Sequence, residues 1–212
     1  MNALASGRVQ DLDEVTDRLI ERGWCVLPTF FPLDLVQELR EQAQAQWQAG
    51  GFHSAGIGRG QELNVNESIR NDHVQWLEPT TTGALGTYQA SIETLRQNLN
   101  RDLYLGLFEF EAHFAVYPPG AFYRRHLDNF RGTSARQVTA ILYLNEGWHE
   151  GDCGQLRLYS DPNNPNDYQD IFPHAGQLVL FMSGRFWHEV LPARRERFSL
   201  TGWLRTRGHA LS

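Results

Sequence analysis

The chain has 212 residues, and 25 acidic against 19 basic side chains give it a formal net charge of −6. This length suits one domain with a substantial core, and a content of 41% hydrophobic and 21% charged residues excludes wholesale disorder. The negative balance argues against a general nucleic-acid binder, which usually presents a basic face.

Hydrophobic periodicity predicts three helices in the first half of the chain. They cover residues 11–22, the segment from Pro32 to the Gly50-Gly51 pair, and residues 83–105, with a short strand at 24–31 that Pro28 interrupts. The apolar face of the first helix comprises Leu12, Val15, Leu19 and Ile20.

A glycine- and asparagine-rich segment at residues 50–72 separates the second and third helices. Long irregular loops in compact domains are commonly functional. We therefore expect residues 56–72 to form a lid, although a plain solvated connection would have the same composition.

From about residue 106 the sequence changes to short β-rich runs separated by turn residues. The runs are 108–117, 122–128, 135–145, 154–159, 168–173, 176–182, 187–191 and 197–206. About eight strands at this spacing predict a sandwich, jelly roll or barrel. We expect a single domain over 1–212, in which helical support at about 11–105 buttresses a β core at about 106–206.

The two cysteines, Cys25 and Cys153, fit neither a disulfide framework nor a zinc pattern. Residues 1–13 hold no basic segment followed by an apolar run, and no stretch approaches the roughly 18 apolar residues of a membrane helix. We expect a reduced cytoplasmic protein, monomeric, that contacts neither a membrane nor nucleic acid.

The candidate chemistry begins with His126 and Asp128, which stand two residues apart in a predicted strand. Side chains at i and i+2 point to the same face of a strand. His188 lies in another predicted strand. Two histidines and one carboxylate form the facial triad of non-haem Fe(II) oxygenases, which leaves positions open for substrates.

Arg197 follows His188 by nine residues and shares a strand face with Ser199, Thr201 and Trp203. Burying an arginine among hydroxyl groups costs free energy unless an anion pairs with its guanidinium. A dicarboxylate that chelates the metal would supply that anion; the alternative is a structural ion pair.

These residues and their surroundings resemble the Fe(II)- and 2-oxoglutarate-dependent dioxygenases, most closely the prolyl hydroxylases of the hypoxia-inducible-factor type. The matching segments are VYPPGAFYRRHLDN, ILYLNEGW, GQLRLY, HEVLPARRERFSLTGW and, further upstream, IRNDHVQWL. The resemblance covers roughly residues 20–206 and is that of a bacterial member without appended modules. It implies a mainly β fold, a cupin-like double-stranded β-helix (jelly roll) buttressed by N-terminal helices.

The resemblance also implies a role for each matching residue. Iron would bind to His126, Asp128 and His188. The 2-oxoglutarate site would comprise Arg197, Tyr143, Tyr117, Thr201, Ile141, Leu156 and Val190. The substrate-binding set would be Tyr123, Arg136, Trp203, Arg70 and Asp72, of which the last two hold the lid.

The activity implied is Fe(II)-dependent 4-hydroxylation of a prolyl residue in a protein. The co-substrates 2-oxoglutarate and O₂ would be converted to succinate and CO₂ as the proline gains a hydroxyl group, with ascorbate as a supporting reductant. The substrate would expose a proline and belong to translation or transcription. Three alternatives stay open: an oxygenase of small molecules or nucleic acid, a non-catalytic jelly-roll metal-binding protein, and a zinc hydrolase. His113 alternates with apolar residues, which predicts a strand histidine with satisfied hydrogen bonds.

Overall fold

The computed structural model describes residues 6–56, 65–129 and 135–207, and for residues 6–11 the backbone alone. Within the predicted lid, residues 57–64 therefore lie outside the described residues.

The three predicted helices are confirmed. They are α1 (Ser6–Glu21), α2 (Leu33–Gln48) and α3 (Gly83–Leu103). Gly23 has a φ of 80°, a left-handed conformation that favours glycine, directly after α1. Pro32 lies at the N-cap of α2, where its lack of an N–H costs nothing.

Eleven strands make up the β structure of the described residues. They are β1 (Trp24–Leu27), β2 (His53–Ser54), β3 (His73–Trp76), β4 (Leu107–Tyr117), β5 (Tyr123–His126), β6 (Arg136–Tyr143), β7 (Leu156–Tyr159), β8 (Tyr168–Ile171), β9 (Leu178–Met182), β10 (His188–Val190) and β11 (Arg197–Thr206). The eight predicted core strands correspond to β4 through β11, with ends displaced by up to two residues. Neither β2 nor β3 was predicted, and β1 ends before Pro28.

These strands form two antiparallel sheets. The larger sheet has the order β1-β9-β6-β11-β4-β3-β2, and the smaller has the order β5-β10-β7-β8. Strands β4 to β11 thus contribute alternately to the two sheets, except for the neighbours β7 and β8. This is the jelly roll, and the predicted fold class is confirmed.

The helices cover the outer face of the larger sheet. One apolar cluster joins residues of all three helices to the outward side chains of the sheet, among them Phe198, Leu200 and Leu204 of β11. Ile20 was wrongly placed on the buried face of α1, since it is 63% exposed while Leu19 is buried. Successive helical residues differ by about 100° around the axis, so Leu19 and Ile20 cannot both face the core.

A second apolar cluster lies between the two sheets. Because β11 alternates, Arg197, Thr201 and Trp203 point away from the helices and line a cavity on this inner side. The predicted sharing of a face by these residues is therefore confirmed. Both cysteines are free thiols, and none of the helices described is long and apolar enough to cross a membrane.

Candidate functional site

Two neighbouring strands of the smaller sheet bring the predicted triad together. His126 at the end of β5 lies directly opposite His188 of β10 in the antiparallel ladder. Asp128 follows just after β5, with Oδ1 3.5 Å from Nε2 of His126 and Oδ2 3.5 Å from Nε2 of His188. One ligand atom of each residue lies within 4.8 Å of the other two. This geometry suits a single metal ion.

Backbone carbonyls orient both imidazoles. Nδ1 of His126 lies 2.7 Å from the carbonyl oxygen of Arg124, and Nδ1 of His188 lies 3.1 Å from that of Phe186. A carbonyl oxygen only accepts, so each Nδ1 carries the proton and donates it. Each Nε2 then presents its lone pair towards the middle of the triad, which is the usual arrangement for histidine ligands.

The carboxylate of Asp128 is buried and held by a hydroxyl. Thr139 Oγ1 donates to Asp128 Oδ2 at 2.8 Å and lies 2.8 Å from Ser183 Oγ. Burial alone would raise the pKa of Asp128, but the adjacent His188 and His126 hold it well below its ordinary range. Burial lowers the pKa of His188 to about 4, and His126 acts in the same direction. An ionised carboxylate beside a neutral imidazole is the state that binds a cation.

At the inner end of the cavity, Arg197 is only 2% exposed. Its Nε donates to the carbonyl oxygen of Gly154 at 2.9 Å, and its Cζ lies 5.1 and 4.9 Å from the ring centroids of Tyr117 and Tyr143. Among the described residues no carboxylate forms an ion pair with Arg197. The Tyr143 hydroxyl is buried and has no hydrogen-bond partner among the residues described, and burial raises its pKa so that it keeps its proton. An unpaired guanidinium beside an unused hydroxyl donor suits an anionic ligand.

The wall between Arg197 and the triad is mostly apolar. The predicted residues that line it are Tyr117, Ile141, Leu156, Val190 and Thr201. All of the predicted 2-oxoglutarate residues therefore line one cavity with the triad, except Tyr143, whose ring lies against Arg197.

Aromatic and arginine side chains surround the opposite end of the cavity. The ring of Tyr123 stacks on that of His126, with centroids 3.6 Å apart and planes inclined by 15°. Arg70 Cζ lies 4.2 Å from the Tyr123 centroid, and Arg136 Cζ lies 3.5 Å from that of Trp203. These four predicted substrate residues line the cavity, whereas Asp72, the fifth, does not.

Asp72 instead forms an ion pair with Arg70 outside the cavity lining. Its carboxylate accepts from Arg70 Nε at 2.8 Å and Nη2 at 2.6 Å, and its side chain is fully buried.

We expect Asp72→Ala to lower the free energy of unfolding by about 3–5 kcal/mol, because it leaves a largely buried guanidinium unpaired. Urea denaturation measures this change. The matched variant Asp102→Ala, which removes the partner of the surface residue Arg101, should change stability far less; equal losses would contradict the structural role.

His113 of β4 also lines the cavity, between the rings of Trp76 and Trp203, whose centroids lie 4.8 and 5.4 Å from its own. It is 4% exposed, and among the described residues its Nδ1 has no hydrogen-bond partner. The prediction of a satisfied strand histidine is therefore wrong for Nδ1, because the two indole rings beside it make aromatic contacts and the Nε1 of Trp203 is itself unpartnered in the described residues.

The sequence and the fold are both similar to those of known oxygenases. Residues 112–205 match the model of the 2OG-Fe(II) oxygenase superfamily. The structure of a prolyl-4-hydroxylase from Pseudomonas putida superposes with a TM-score of 0.83 at 46% sequence identity, covering 93% of this chain and 100% of that one. The chain belongs to the Fe(II)- and 2-oxoglutarate-dependent oxygenases.

Within that family, the oxygenase is similar to prolyl hydroxylases of the hypoxia-inducible-factor type. A prolyl hydroxylase from Trichoplax adhaerens, solved with a hypoxia-inducible-factor peptide, is 29% identical with a TM-score of 0.81 and covers 95% of this chain and 93% of that one. The hypoxia-inducible factor prolyl hydroxylase of Caenorhabditis elegans is 29% identical over 206 residues. That match covers 90% of this chain but only 28% of the much longer relative.

The site residues of this oxygenase fit Fe(II) and 2-oxoglutarate, the two groups that its family uses. Two imidazoles with free Nε2 lone pairs and one ionised carboxylate are suitable donors for Fe(II). The buried Arg197 and the unpartnered Tyr143 hydroxyl fit a carboxylate of 2-oxoglutarate.

The sequence did not predict that the Thr139 hydroxyl donates a hydrogen bond to the carboxylate of Asp128. Alternation along β6 places Thr139 on the same face as Ile141 and Tyr143, but nothing in the sequence connects it to Asp128 or to Ser183. His53 and Trp76 also line the cavity and were not predicted. A signal for Trp76 was present, because it lies within the segment IRNDHVQWL that carries part of the resemblance.

Thr139→Val removes the hydroxyl while keeping the shape of the side chain. We expect it to weaken metal binding about 10–100-fold, since partners that orient a metal ligand usually contribute this much. Titration with Mn(II), followed by electron paramagnetic resonance, measures the affinity without turnover. Thr94→Val, on the exposed face of α3, is the control; unchanged affinity in Thr139→Val would show that Asp128 needs no such support.

Proposed function

We propose that this oxygenase hydroxylates a prolyl residue of a protein substrate at C4, with conversion of 2-oxoglutarate and O₂ to succinate and CO₂. The observation that carries the proposal is the triad of His126, Asp128 and His188 beside a buried Arg197 that lacks a carboxylate partner. The 46% identity to a bacterial prolyl-4-hydroxylase supports the choice of proline.

The triad would hold Fe(II), which supplies the oxidising power for attack on an unactivated C–H bond once 2-oxoglutarate and O₂ are bound. Arg197 and Tyr143 would bind the distal carboxylate of 2-oxoglutarate through charge and a donated hydrogen bond. The apolar wall of Tyr117, Ile141, Leu156, Val190 and Thr201 would orient its carbon chain and exclude water.

The opposite end of the cavity would receive the protein substrate. Tyr123, Trp203 and Arg136 would contact the segment around the target proline, and the Arg70–Asp72 pair would fix the base of a lid at 56–72. The peptide bound to the Trichoplax relative supports a protein substrate. We place the enzyme in the cytoplasm as a monomer, acting on a translation or transcription protein, with ascorbate maintaining the ferrous state.

Mass spectrometry of a random proline-centred peptide library tests the proposal. Purified protein with Fe(II), ascorbate, 2-oxoglutarate and air should add about 16 Da to proline in a subset of peptides and release stoichiometric succinate. His126→Ala should abolish both, whereas His174→Ala, at an exposed histidine outside the site, should retain both. Absence of hydroxyproline with wild-type protein, or its presence with His126→Ala, would refute the proposal.

A further inference from the structure

His113 is a buried polar group that no step of the proposed chemistry uses. Within the part of the chain that the structure describes, its Nδ1 has no hydrogen-bond partner, although the ring lines the cavity. Burial lowers the pKa of His113 to about 3, and the charge of Arg70 acts in the same direction, so the ring is neutral at physiological pH. A neutral imidazole has one donor and one acceptor nitrogen. Buried polar atoms without partners are rare in native proteins and call for an explanation.

The position of His113 along β4 separates it from the 2-oxoglutarate end. Tyr117 lies opposite Arg197 in the ladder, and His113 lies four residues away, opposite Thr201, the member of the predicted 2-oxoglutarate set on β11 that is farther along the strand from Arg197. Four residues of a strand span about 13 Å. His113 also pairs with Trp76 of β3, which is 46% exposed. The imidazole therefore lies towards the open end of the cavity, where a protein substrate would enter.

The surroundings of His113 favour an uncharged ligand. Trp76 and Trp203 supply two aromatic walls. The one cation on the Trp203 face, Arg136, is already neutralised, because its Nε donates to Glu111 at 2.7 Å. A prolyl residue is apolar and uncharged, and proline-rich segments bind aromatic-lined grooves in several recognition modules. Their main chain nevertheless has carbonyl and amide groups that lose water on entering such a groove and need a partner.

We infer that His113 is a specificity-determining residue whose imidazole makes one hydrogen bond to the main chain of the substrate beside the target proline. This inference rests on the proposed function and names a recognition element within it. The unpaired imidazole reduces the stability of the free enzyme, and substrate binding removes that cost. The same residue should therefore decrease stability and increase substrate affinity.

Two variants separate recognition from packing. His113→Leu keeps the bulk and removes the polar atoms, while His113→Asn keeps a hydrogen-bonding group near the position of Nδ1. Proteins loaded with Mn(II) and 2-oxoglutarate without O₂ are used to capture peptides from the proline-centred library, and the best wild-type binder is resynthesised for calorimetry. His174→Leu is the control. Thermal unfolding of each protein without ligands gives a readout independent of activity.

His113→Leu should bind the peptide about tenfold more weakly, with an unchanged affinity for 2-oxoglutarate and an equal or higher melting temperature. His113→Asn should stay within a few-fold of wild type. Replacing the amide that follows the proline by an ester removes its N–H donor and weakens the carbonyl as an acceptor. This change should weaken binding to wild type more than binding to His113→Leu, because both changes act on the same hydrogen bond.

The other outcomes overturn the inference. Equal peptide affinity of wild type and His113→Leu, or equal losses in His113→Leu and His113→Asn, would exclude the hydrogen bond while leaving the proposed function intact. A marked fall in the melting temperature of His113→Leu would make His113 a structural residue. If the wild type neither captures nor hydroxylates any proline peptide, the proposed function fails and this inference fails with it.

Discussion

Asp128→Ala is expected to reduce turnover by more than roughly 10³-fold while the protein stays folded. Asp128 is the only anion of the triad and is 6% exposed. Loss of a residue that only orients a ligand costs about 10–100-fold, so loss of the charged ligand itself should cost more. The fold should tolerate the change, because Thr139 and Ser183 still pair with each other at 2.8 Å and a desolvated charge disappears.

Three measurements on Asp128→Ala test this expectation together. Mn(II) titration should show at least a hundredfold weaker binding, succinate release should fall to background, and the melting temperature without metal should match the wild type. Asp167→Ala, at an exposed carboxylate in the connection between β7 and β8, should resemble the wild type in all three. Wild-type Mn(II) affinity in Asp128→Ala would remove Asp128 from the metal site.

The elements and the triad were predictable because both depend on local periodicity. Strands β4 to β11 have alternating or continuously apolar sequences between turn residues. The i, i+2 spacing indicated that His126 and Asp128 converge, and they do, although β5 ends at His126 and Asp128 lies just after it. By contrast, β2 has only two residues and β3 is partly exposed, so neither has a hydrophobic pattern from which a strand is predicted. β3 becomes a strand because the edge of β4 is available for pairing, and β2 in turn pairs with β3.

Contacts between distant strands were not predictable from the same rules. Thr139 supports Asp128 because β6 passes behind the triad, and His113 is unsatisfied because Trp76 and Trp203 lie on either side of it. Periodicity places a side chain on a face but does not identify its neighbours on that face. The aromatic and hydroxyl partners of the site therefore emerge only from the register of the sheets.

Arg197→Leu is expected to abolish 2-oxoglutarate binding without destabilising the free protein. In the unliganded fold the guanidinium is 2% exposed and has no carboxylate partner among the described residues. Burying an unpaired charge costs free energy, so an apolar side chain of similar size should leave stability equal or raise it. Removing one partner of a buried charge pair costs about 2–5 kcal/mol in binding, which corresponds to roughly 30- to several-thousand-fold in affinity.

Thermal unfolding in the presence of Mn(II), with and without 2-oxoglutarate, measures both effects at once. A ligand that binds only the folded state raises the melting temperature according to its concentration relative to Kd. Wild type should therefore shift upward with 2-oxoglutarate, and Arg197→Leu should not. Arg197→Lys should show an intermediate shift, since an ammonium keeps the charge but loses the paired donors that match a carboxylate.

Arg194→Leu, at an exposed arginine in the turn before β11, controls for the loss of positive charge and should behave as wild type. The same experiment decides between the two interpretations of Arg197 that the sequence leaves open. A structural ion pair requires that Arg197→Leu lower the melting temperature of the free protein. A co-substrate anchor requires that the free protein be at least as stable and that only the 2-oxoglutarate shift be lost. The absence of any carboxylate partner for Arg197 in the described residues favours the second interpretation.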